Sequence, residues 1–131
     1  MTKEEWKGVE NALSQFFHPV KLSVDGYDIT LILERVGIYQ NKIMVYIGGQ
    51  FRGKWLAEDC EERRRFMQEQ KHSILSRKEK ARFEKMSKRM QKELQEKYPM
   101  QYSTFTPQWS SFRALKKHFC ANNQKIELIE A

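Results

Sequence analysis

Cysteine, proline and glycine are scarce in this sequence, with two, three and six among 131 residues. Cys60 and Cys120 lie in unlike contexts without Cys-x-x-Cys spacing, which argues against a zinc site or a disulfide framework and points to idle thiols in a reducing cytosol. No apolar run approaches the roughly 20 residues of a membrane span, and the first residues lack the apolar stretch of a signal peptide. The expectation is a soluble, cytoplasmic protein. A glycine-rich phosphate loop is also missing, because Gly48-Gly49 falls between two predicted strands and not before a helix.

Recognisable catalytic signatures are equally lacking. His18, His72 and His118 are isolated, and neither a nucleophile elbow nor a Cys/His pattern surrounds the serines or cysteines. His118 and Cys120 stand two apart on a predicted helix and so do not share a face. Asp25, Asp28 and Asp59 lack calcium-loop spacing. The chain is therefore expected to be no enzyme and to need no metal or cofactor.

What is abundant is positive charge. The net charge is +7 and the isoelectric point about 9.5. Residues 1–62 carry seven Lys/Arg against ten Asp/Glu, for −3, and residues 63–131 carry seventeen against seven, for +10. Such asymmetry suits an anionic partner, although charge also keeps small proteins soluble.

At this length one domain is expected. Its first part, residues 1–57, reads as a helix and a β-meander, and residues 58–131 as a basic helical half with a terminal strand. Thr2 and Glu5 form a capping box that opens a helix carrying Trp6, Val9 and Leu13 inward, ending near Phe16–Phe17 ahead of Pro19. Val20, Leu22 and Val24 alternate with polar residues, Asp25-Gly26 signals a tight hairpin, and Tyr27, Ile29, Leu31 and Leu33 alternate on the return. Residues 42–47 form a third strand, apolar on both faces. Gly48-Gly49 closes a second hairpin into a fourth strand marked by Phe51 and Trp55.

The rest reads as helical. Asp59 is placed to cap a helix with Glu61 and Glu62 in its first turn, followed by Arg63, Arg64 and Arg65. Residues 71–75 look like a break before a second capping box, Ser76 with Glu79, though a continuous helix from Asp59 to Tyr98 is the alternative. Residues 99–105 form an aromatic connector. Thr106-Pro107 reads as N-cap and first turn of a helix burying Trp109, Phe112, Leu115 and Phe119. Ile126, Leu128 and Ile129 suggest a last strand on an edge of the meander. The fold class expected is α+β.

The sharpest functional signal is the stretch 76–98. Read as one helix, it places Phe83, Met86, Met90, Leu94 and Tyr98 on one face, where core packing is the expectation. Lys78, Arg82, Lys85, Arg89 and Lys92 fall opposite, in a row about 21 Å long. Like charges at such spacing repel until an anionic surface lies along them. A solvated outer face is the bland alternative, and Glu79, Glu84, Glu93 and Glu96 offset part of the charge. Arg63 and Arg64 either extend this surface or flank it. Trp109 and Phe112 are core residues or, if exposed beside Arg113 and Lys117, stacking platforms for single-stranded nucleic acid.

The segments TKEEWKGVENAL, VKLSVDGYDITL and PQWSSFRALKKHF with NNQKIELI resemble a loose group of small phage and prophage accessory proteins. That group includes anti-CRISPR proteins and other inhibitors of bacterial defence. The resemblance implies an interaction protein that inhibits a host nucleoprotein machine in the host cytoplasm, binding the defence effector or its RNA or DNA. Direct DNA or RNA binding by a regulator is the alternative.

Overall fold

Thr2 opens the chain's first helix as its spacing requires: its Oγ1 accepts from the Glu5 amide (3.1 Å) while the Glu5 carboxylate accepts from the Thr2 amide (3.2 Å). The structure, a computed structural model, describes residues 1–131. Its elements are α1 (Lys3–Ala12), β1 (Val20–Val24), β2 (Tyr27–Arg35), β3 (Asn41–Ile47), α2 (Lys54–Ala57), α3 (Glu61–Phe66) and β4 (Gln68–Ser73). They continue with α4 (Arg77–Glu84), α5 (Lys88–Lys97), β5 (Gln101–Thr106), β6 (Gln108–Trp109), α6 (Phe112–Asn122) and β7 (Ile126–Glu130). The class is α+β. No helix is long and apolar enough to cross a membrane. Contacts divide the chain into two units, residues 1–68 with 105–131, and residues 69–104, which form an insert in the first unit's sequence.

The first unit is built on a five-stranded antiparallel sheet in the order β6-β3-β2-β1-β7. The β1–β2 turn carries positive φ at both Asp25 (46°) and Gly26 (88°), the geometry a two-residue hairpin of this twist demands. Alternation sends Val20, Leu22, Val24, Ile29, Leu31, Ile43, Val45 and Ile47 into one core with Val9 of α1, Leu13 at its C-cap, and Leu115 and Phe119 of α6. The sheet's other side is half-exposed, so β3 is apolar on both faces but fully buried on only one. β7 pairs with β1, the edge position expected for the last strand.

Four expectations fail in this unit. Helix α1 ends at Ala12, several residues before Phe16. No fourth meander strand follows Gly48-Gly49: the turn closes between Ile47 and Gln50, and the chain then coils into α2, which buries Trp55. The free edge of β3 is taken instead by β6, with the Val45 amide donating to the Pro107 carbonyl (3.1 Å). Proline is tolerated there because an edge strand leaves its missing N–H unneeded. Consequently Thr106-Pro107 does not start the last helix. Ser111 does, its Oγ accepting from the Ala114 amide (3.2 Å). Lastly, Asp59 does not cap α3: Cys60 holds that position without a side-chain bond, and Asp59 turns to Arg64.

The insert has a two-stranded ribbon of β4 and β5 and two helices. Contacts run from Glu69 with Ser103 to Ile74 with Met100, so the strands are antiparallel. Residues 71–75 and 99–105, expected as a break and a connector, largely form this ribbon, and the continuous helix from Asp59 to Tyr98 does not exist. Nor does one long basic helix: α4 stops at Glu84 and α5 starts at Lys88. Ser87 causes the restart, its Oγ accepting from the Met90 amide (3.3 Å). Gln91 supports it from the other side, its Nε2 donating to the carbonyl of Met86 (3.1 Å) in the turn after α4.

Candidate partner-binding surface

The capping box read from the sequence begins α4, with Ser76 Oγ accepting from the Glu79 amide (3.2 Å) and the Glu79 carboxylate from the Ser76 amide (3.3 Å). One face of α4 then presents Glu79, Arg82 and Phe83, with Met86 of the following turn, to an apolar cleft of about 510 Å³. Leu94 of α5 and Tyr98, which caps it, line it too, and Ile74, Leu75, Pro99 and Met100 close it from one end of the ribbon.

The break at 85–87 re-phases the two helical faces. Met90, grouped with Phe83 and Leu94 on a single straight helix, lies outside the cleft and is 51% exposed. Arg82, expected opposite the apolar stripe, lines the cleft beside Phe83. The core expected of this stripe is not formed: no side chain between residues 69 and 104 is fully buried, and Phe83, Met86 and Leu94 are only partly covered.

Lys78, Arg82, Lys85, Arg89 and Lys92 are all exposed but are shared between two helices and the turn joining them, so they do not form one straight row. Arg89 pairs with Glu93 at 3.4 Å, an exposed contact of small energetic weight. Lys78, Arg82, Lys85 and Lys92 have no carboxylate partner. The insert carries ten Lys/Arg against five Asp/Glu, for +5.

The remaining candidates lie in the first unit. Lys117 is exposed on α6. Arg63 places its guanidinium 3.5 Å from the centre of the Phe105 ring. Arg64 makes a two-pronged contact with Asp59 (2.9 and 2.6 Å), which holds that carboxyl below the usual carboxylate range. Trp109 is buried, and its indole donates to the Phe66 carbonyl (3.2 Å), so it is a core residue and offers no stacking platform. His118 packs against Trp109 with ring centres 5.2 Å apart.

Sequence reasoning missed the cleft because part of its wall comes from one end of a ribbon, at residues 74–75 and 99–100, read as irregular chain. The available signal was local: Ser87 in an otherwise strong helical pattern can compete for backbone amides and start a new helix. No protein family model matches this chain, and neither a curated protein nor a solved structure shows significant similarity to it.

Proposed function

We propose that this protein works by non-covalent binding, using the insert 69–104 to engage an anionic macromolecule. In the accessory-protein setting implied by the sequence resemblance, that macromolecule belongs to a host nucleoprotein machine, and binding inhibits it. One observation carries the reading: four exposed basic side chains of the insert, Lys78, Arg82, Lys85 and Lys92, have no carboxylate partner, and one of them, Arg82, lines a cleft whose apolar residues are only partly covered. Unpaired like charges and uncovered apolar surface both lower their free energy when a complementary surface arrives.

A nucleic-acid-binding regulator is the second reading, favoured by the same unpaired cations, which would neutralise phosphates. The cleft favours a protein target, because a phosphate backbone gains nothing from apolar walls. Salt dependence separates the two. A duplex binder should lose affinity with a slope near −0.9 per phosphate contacted. A protein-directed inhibitor should barely bind naked duplex at physiological salt yet associate with its target complex.

A further inference from the structure

We propose that the cleft of the insert seats an amphipathic helix of the partner protein whose flank carries carboxylates. The inference rests on the binding role of the insert argued above and names the chemistry of its occupant. Two short helices and a two-stranded ribbon leave Phe83, Met86 and Leu94 partly exposed, so the insert lacks a third layer to complete its packing. An apolar helix face supplies one. The volume of about 510 Å³ accommodates several side chains of such a face. Met86 and Met100 in the walls are unbranched and polarizable, suited to moulding around it.

Charge selects the occupant. Glu79 and Arg82 are the charged residues lining the cleft, and the Glu79 carboxylate is held by the Ser76 amide. Arg82 has no carboxylate in this chain. Covering a guanidinium without a partner is costly, so the incoming helix must bring an acid to it. Lys78 and Lys85 are also exposed, four residues before and three after Arg82 in the chain, and add to the local positive charge. A second copy of this chain is disfavoured as the occupant because its insert would bring a further +5 to the same contact.

The test is to pan the full-length chain against a displayed library of helix-forming peptides about 16 residues long, roughly four turns. The enriched sequences are expected to carry Leu, Phe or Met at i, i+3 or i+4 and i+7, flanked by Asp or Glu. A selected peptide should shift the ε-methyl resonances of Met86 and Met100 in the labelled chain. Arg82→Glu should weaken that peptide at least about tenfold, and Arg82→Gln less. Both variants should keep the native melting temperature, since Arg82 is exposed. Enriched peptides without this pattern, no enrichment, unmoved methionine methyls, or a dimer formed through the cleft would each overturn the proposal. The binding role of the insert fails separately. Duplex DNA binding that depends on Lys78, Lys85 and Lys92 while the methyls stay still removes only the helical occupant. No binding to acidic peptide or nucleic acid removes both.

Discussion

Arg65 donates from Nη1 to Oδ2 of Asp25 at 2.6 Å, joining α3 to the first hairpin turn across forty positions of sequence. The same nitrogen reaches Oδ1 of the buried Asn123 (3.0 Å), and Nη2 meets Glu61 at 2.5 Å. Asp25 in turn accepts from the amides of Gln124 (2.9 Å) and Lys125 (2.7 Å), fixing the loop that leads into β7. A turn residue with positive φ thus also ties together a helix and the last strand.

Breaking that junction should cost stability in the first unit. Asp25→Ala leaves Arg65, with 24% of its side chain exposed, without one of its carboxylates, and frees two backbone amides. A fall of about 5–10 °C in the melting temperature is expected by calorimetry. Asp59→Ala removes a contact whose two side chains are 69% and 60% exposed, and should shift the midpoint by less than about 2 °C. Equal shifts would contradict the central place given to Asp25.

The same junction sets an acid limb. The Gln124 and Lys125 amides, followed by Arg65, hold the Asp25 carboxyl below the usual carboxylate range. Its folded-state value is therefore depressed relative to the unfolded chain. The stability it contributes is fully present above the unfolded value of about 4 and is lost as pH falls through the folded one. Denaturant midpoints should drop on acidification below about pH 4, and in Asp25→Asn that drop should shrink. An unchanged acid limb in the variant would show that other carboxylates govern it.

Local stability should differ between the units. Val20, Leu22, Leu31 and Val45 are fully covered in the sheet, whereas the insert has no fully buried side chain. In native-state hydrogen exchange, amides of α4 and α5 are expected to open at lower free energy than those of β1–β3. Ser87→Ala, which removes the acceptor for the Met90 amide, should speed exchange in the first turn of α5 and leave the sheet unchanged. Uniform protection through all elements would refute this.

The parts of this architecture legible in the sequence are the local ones. Both capping boxes, the Asp25-Gly26 turn and the alternation of β1 and β2 are written within a few residues, where side-chain chemistry acts directly on the backbone. The last strand was legible from its apolar residues and the unfilled edge of the meander. β6 was not, because two residues carry no period and their pairing with β3 is decided by tertiary context some sixty positions away. Arg65 looked like part of a basic cluster, since only the fold brings Asp25 and Asn123 to it. At the candidate site the five basic residues were legible, but the turn at 85–87 was not, and that turn governs which of them meets the cleft.

The central claim is that the insert's own cations carry partner binding, beyond what net charge supplies. Two triple variants of equal net charge test it: Lys78→Glu, Lys85→Glu and Lys92→Glu in the insert, and Lys3→Glu, Lys7→Glu and Lys54→Glu in the first unit, all at exposed positions. The measurement is fluorescence anisotropy at physiological salt against the selected acidic peptide and against duplex DNA. For whichever probe the native chain binds, the insert variant is expected to lose at least about tenfold in affinity while the other variant stays close to native, with both melting temperatures nearly unchanged. Equal losses in the two variants would mean that overall charge, and not this surface, does the binding.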